Sequence, residues 1–131
     1  MHEVSIAQML LETVLKNASG KIIEIELEIG ELRMINADAL KFAFSVLSKG
    51  TRAEKAKIII KRKRPKFKCL NCGYVWSPIL ENLSEDQKTL MHFGALAYSL
   101  VLKCPKCESN DFEIIEGDEI VITKIKFIEN D

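Results

Sequence analysis

Four cysteines are all the thiols in this chain, and they fall in two Cys-x-x-Cys knuckles, Cys69-Leu70-Asn71-Cys72 and Cys104-Pro105-Lys106-Cys107. Two thiolate pairs, each at the spacing of a tight turn, are what a tetrahedral soft-metal site needs, and structural Zn(II) is the reading that uses all four. Other chemistries share the residues. A disulfide framework needs an oxidising compartment, and the Met1-His2-Glu3 start carries no export signal, so a reducing, cytoplasmic setting is expected. A redox dithiol leaves one pair idle and lacks the strand-to-helix setting. An iron–sulfur centre takes the same four ligands and stays open. Gly73 to Lys103 separate the knuckles, longer than the roughly 15 to 20 residues of the ordinary double-knuckle pattern, so a segment is inserted.

A second metal chemistry is written at the front. A free α-amine on Met1, the backbone nitrogen of His2 and its imidazole close chelate rings on one ion, and the Glu3 amide nitrogen is next in reach. Four nitrogens in a plane suit Ni(II) or Cu(II) and suit Zn(II) poorly. Taken alone, a histidine at position 2 is more often an ordinary solvated terminal residue. The other histidine, His92, sits in the apolar stretch Leu90-Met91-His92-Phe93, where a partly buried imidazole satisfying one hydrogen bond is the ordinary reading. No nucleophile–base pair stands out, so an enzyme is not expected.

Positioning these groups falls to a small set of elements. Ala7, Leu10, Leu11, Val14, Leu15 and Ala18 recur at three- and four-residue spacing, which predicts an amphipathic helix from Glu3 to Ala18, ended at Gly20. Ile23, Ile25, Leu27 and Ile29 alternate with glutamates, the period of a half-buried strand. Asn36 or Asp38 caps a second helix with Leu40, Ala43, Phe44 and Leu47 on one side. Strands are expected around Ile58–Ile60, at Tyr74–Trp76 and from Phe112 to Ile115, with a long final strand from Ile120 to Ile128. Ser84 starts a helix within the insertion. The fold class is α+β: a core of residues 1–64 and 118–131, and a zinc-ribbon-like module at 65–117 carrying the insertion at 78–103, with the boundary set near Pro65.

The chain has 131 residues, 47% hydrophobic and 29% charged, which describes a folded globular protein. No apolar run reaches the ~20 residues of a membrane span, so no membrane contact is expected. Lys+Arg and Asp+Glu balance at 19 each, against a general affinity for polyanions. Locally the balance fails, since Lys61 to Lys68 is almost wholly basic, with Phe67, Tyr74 and Trp76 nearby. A nucleic-acid-binding zinc ribbon is therefore the rival function, set against a solvated charged face or an acidic protein partner.

Met1-His2-Glu3 leading into Ser5-Ile6-Ala7, then Gly30-Glu31-Leu32, then Cys-x-x-Cys-Gly and Cys-Pro-x-Cys at these relative places, resembles the HypA family of hydrogenase-maturation nickel metallochaperones across essentially the whole chain. The long inter-knuckle segment is similar to that of archaeal members. The resemblance implies two helices on a small sheet as a nickel-binding core. It implies Ni(II) as transferred cargo on His2 and the main-chain nitrogens of Met1 and Glu3, and structural Zn(II) on Cys69, Cys72, Cys104 and Cys107. It also implies a HypB-type GTPase and the large subunit of a NiFe-hydrogenase as partners, with urease maturation in some organisms. His92 becomes a candidate further nickel ligand, recruited when a partner docks. A homodimer made by exchange of parts is compatible with the hinge and the insertion.

Overall fold

The computed structural model describes residues 2–129, the side chains of 95 and 96 excepted. It divides into two compact units, one built from the described parts of 1–29, 35–62 and 120–131, the other from 30–34 and 63–119.

In the first unit, helix α1 (His2–Asn17) buries Ile6, Ala7, Leu10 and Val14, the stripe its sequence predicts, and Leu11 and Leu15 pack at its edge. Helix α2 (Ala37–Leu47) starts at Asn36, whose side chain accepts from the Ala39 amide at 3.0 Å, and buries Leu40, Ala43 and Phe44. Strands β1 (Lys21–Gly30), β2 (Lys57–Lys63) and β6 (Ile120–Ile128) form one sheet in the order β2-β1-β6. β1 and β6 run antiparallel, with Ile25 opposite Ile125 and Glu24 opposite Lys126.

One face assignment changes. Ile23 was expected inside, but it is exposed and Ile22 is buried instead, because the β1–β6 register shifts between Ile22 and Glu24. An extra residue in a strand reverses the faces on one side of it.

The second unit holds the sheet β4-β3-β5, made of β3 (Lys66–Cys69), β4 (Val75–Trp76) and β5 (Phe112–Glu116). Its core is Phe67, fully buried, with the rings of Trp76, Tyr98 and Phe112 centred 5.0 to 6.2 Å away in tilted arrangements. The inserted segment forms α3 (Glu85–Met91) and α4 (Ala95–Val101). Ser84 and Gln87 make a reciprocal capping box on α3, as the sequence suggests. Gly94, at φ 97°, then turns the chain before α4, so one expected helix is two.

Candidate metal centre

β3 ends on Cys69, and the chain turns back through Cys72 to β4, a hairpin closed by Cys69 N–H donating to the Tyr74 carbonyl at 2.8 Å. The second knuckle repeats the device, with Cys104 N–H donating to Ser109 at 2.9 Å. The four sulfurs converge, all within 4.8 Å of one another, with Cys69–Cys107 at 3.5 Å and Cys72–Cys104 at 3.6 Å. All four are free thiols, which overturns the disulfide reading. A zinc–sulfur length of about 2.3 Å puts tetrahedral sulfurs about 3.8 Å apart, so this cage fits a single ion and leaves no room for a multi-iron cluster. Cys69 and Cys104 are buried while Cys72 is exposed, so the cage closes from one side.

The electrostatics suit a cation. The Asn71 side-chain amide donates to Cys107 Sγ and, with the Ser109 amide, lowers that thiol to about 6. Burial raises Cys104, but the Cys107 and Lys106 amides outweigh it and leave it lowered. The Tyr74 amide lowers Cys72, yet burial and the three neighbouring thiols push it up to about 11. Four thiolates this close cannot all ionise without a positive charge among them. A divalent ion supplies it, and binding releases the remaining protons.

The front-end residues are placed as follows. Met1 lies outside the described residues. His2 is exposed and is the first residue of α1. Glu3 turns its carboxylate to the Asn36 amide at 3.1 Å, tying the start of α1 to the cap of α2, and that bond holds the carboxyl below its ordinary value. Sequence reasoning assigned only the Glu3 main chain and missed this side-chain tether, since nothing local links position 3 to position 36. His92 is in the second unit, at the C-terminal cap of α3, and its side chain is exposed, which corrects the reading of a partly buried imidazole.

The basic run loses its nucleic-acid reading here. Lys61 pairs with Glu26, Lys63 and Lys66 both pair with Glu116, Arg62 reaches the Ile35 carbonyl and Arg64 the Pro78 carbonyl. Phe67 is in the core and cannot stack on a base. Tyr74 and Trp76 stack on each other, at 6.5 Å and 11°. Much of the charge is committed to the protein's own carboxylates and carbonyls.

Comparison with known proteins agrees with this layout. Residues 1–127 match the family model described as HypA, hydrogenase/urease nickel incorporation, metallochaperone. The chain is 38% identical over 132 residues to the hydrogenase maturation factor HypA of Pyrococcus horikoshii, covering 96% of this chain and 95% of that protein. It is also 38% identical over 131 residues to that of Methanopyrus kandleri, covering 96% and 92%. Its fold is similar to the solution structure of the Ni metallochaperone HypA from Helicobacter pylori, with a TM-score of 0.60 over 98% of each chain at 22% identity. No described helix is long and apolar enough to cross a membrane. Because the likeness runs through both units and not through the cysteine motif alone, the chain belongs to the HypA family of hydrogenase and urease nickel-incorporation metallochaperones.

Proposed function

We propose that this protein carries Ni(II) as cargo on its first residues, His2 with the main-chain nitrogens of Met1 and Glu3, and passes it to an apo-hydrogenase. Family membership is the observation that carries the reading. The local physics supports it. α1 begins at His2, and the first N–H groups of a helix have no carbonyl partner one turn back. A metal that replaces the proton on the His2 or Glu3 amide therefore breaks no helical hydrogen bond, and at Glu3 it displaces the contact of that amide with its own carboxylate. The positive end of the helix dipole favours the amide anions so formed. The Glu3–Asn36 bond holds the backbone of residue 3 in place. Loading releases protons, so affinity rises with pH, and protonation or a competing ligand on an exposed site returns the ion. Because Cu(II) binds such donors more strongly, selectivity for nickel comes from geometry and supply.

Cys69, Cys72, Cys104 and Cys107 hold structural Zn(II), which when bound ties the two knuckles together and couples the second unit's folding to the ion. A HypB-type GTPase and the large subunit of a NiFe-hydrogenase are the partners in this reading. His92, exposed on the second unit, is the candidate ligand recruited on docking. Titration of the zinc-loaded protein with Ni(II) tests the assignment: about one equivalent binds, His2→Ala abolishes it, and zinc content stays at one equivalent in that variant. Unchanged nickel uptake in His2→Ala overturns the reading.

A further inference from the structure

Between α2 and the start of β2 the first unit carries a shallow depression of about 260 Å³ lined by Lys41, Phe44, Ser45, Ala56, Lys57 and Ile58. Its floor is apolar, from the buried Phe44 and Ile58, and its rim is basic, from the exposed Lys41 and Lys57. It is smaller than the ~300–1,000 Å³ of a cofactor or drug-sized pocket, and it suits one inserted apolar side chain.

The lysines around it differ from those that the chain pairs with its own carboxylates. Lys61, Lys63, Lys66, Lys103 and Lys126 each face a carboxylate at 2.9 to 3.4 Å. Among the described residues, Lys41 and Lys57 face none. Asp38, three positions before Lys41 on α2, makes no ion pair with it, and the Glu54 carboxylate is taken by the Gly50 amide at 3.2 Å. α2 also exposes Phe42 at 71% and Val46 at 47%, one helical turn apart and outside the lining of the depression. Isolated exposed apolar residues need no explanation, but an open apolar hollow whose basic rim meets no carboxylate of this chain offers a place for one from outside.

We propose that this hollow is a docking site for an acidic segment of a partner protein, one that inserts a single apolar anchor between Lys41 and Lys57 and sets carboxylates against both ammonium groups. Charge complementarity selects the occupant, since a basic or neutral segment leaves both lysines uncompensated. The site is independent of either metal centre, so it stands or falls apart from the carrier reading.

The probe is a synthetic acetylated, amidated peptide of glutamates around one leucine and one phenylalanine, compared with the same peptide bearing glutamines. Both are titrated into the ¹⁵N-labelled, zinc-loaded full chain. The acidic peptide produces saturable shifts confined to α2 and the start of β2, and the glutamine peptide binds about tenfold more weakly. Lys41→Gln/Lys57→Gln, which leaves the apolar floor intact, weakens the acidic peptide to the level of the glutamine one. Equal binding of the two peptides overturns the proposal, as does the absence of shifts. Two further results also overturn it: the same shifts from inorganic phosphate alone, which mark a simple anion site, and the same shifts on concentrating the protein without peptide, which mark contact with a second copy.

Discussion

Gly73 and Glu108 occupy the same place in the two knuckles, each following the second cysteine in the left-handed conformation, at φ 80° and 64°, and each donating its amide to the first cysteine's carbonyl, at 2.9 and 2.8 Å. One knuckle uses the residue that adopts this conformation freely, and the other strains a glutamate into it. A Cβ at Gly73 meets nothing within 4 Å, so substitution there is charged only for backbone conformation. Gly73→Ala is expected to cost about 1 kcal/mol. Glu108→Asn is expected to stabilise by somewhat less than about 1 kcal/mol, the exposed Lys103 pair contributing little. Urea unfolding of the zinc-loaded protein measures both, and a stability loss in Glu108→Asn equal to that of Gly73→Ala contradicts the strain assignment.

Arg52 caps α1 from outside it. Its guanidinium donates at 2.6 to 2.8 Å to the carbonyl of Leu15, in the last turn of the helix where carbonyls lack partners, and to those of Ala18 and Gly20 in the connection that follows. Arg52→Ala should cost about 2 kcal/mol, less than three full charged hydrogen bonds because the side chain is exposed. Arg52→Lys should recover only part of it, because an ammonium lacks the planar fork that reaches several carbonyls at once. Thermal unfolding checks the order wild type, Lys, Ala.

The second unit also contains a close crossing of three backbones at Gly30, Pro65 and Gly117. A Cβ on Gly30 would overlap the Gly117 carbonyl, and one on Gly117, at φ 103°, would overlap Pro65. Gly30 N–H donates to Glu119 at 2.8 Å and Leu32 N–H to Gly117 at 2.9 Å, so the crossing is bonded as well as tight. Gly30→Ala is expected to lose about 3 kcal/mol, since main chain cannot give way as a flexible side chain does. A loss under about 1 kcal/mol on urea unfolding contradicts the crossing.

Glu116 is held below its ordinary value by Lys63 first and Lys66 second, at 2.9 and 3.1 Å. A carboxyl depressed by folding contributes stability above its unfolded value, and that contribution disappears as pH falls through the folded one. Following the Glu116 carboxyl carbon by NMR reads this directly, even where acid also releases zinc. In Lys63→Met/Lys66→Met the midpoint should rise to the ordinary glutamate range, and an unmoved midpoint would remove the lysines as its cause.

Much of this architecture was legible because its periods are local. The stripe on α1, the Asn36 cap and the returning strand β6 follow from spacing alone, and the cysteine tetrad follows from two knuckles of the same design. What escaped depends on distant partners. β3 alternates Lys66 and Lys68 outside with Phe67 and Cys69 inside, yet within a basic run the charges masked the period. Ile23 was turned outward by a register shift against β6, which no property of β1 encodes. The Glu3 tether needed α2 to arrive, and the carboxylates that occupy Lys61, Lys63 and Lys66 come from β1 and β5.

The central claim is that the chain's first nitrogens hold the cargo, and the most direct test changes those nitrogens without touching a side chain. Ni(II) affinity should be compared between the untagged protein and a form with one extra residue before Met1, both zinc-loaded. The account predicts that the extension lowers nickel affinity at least about tenfold, because the α-amine moves out of the chelate. Equal affinity in the two forms contradicts it.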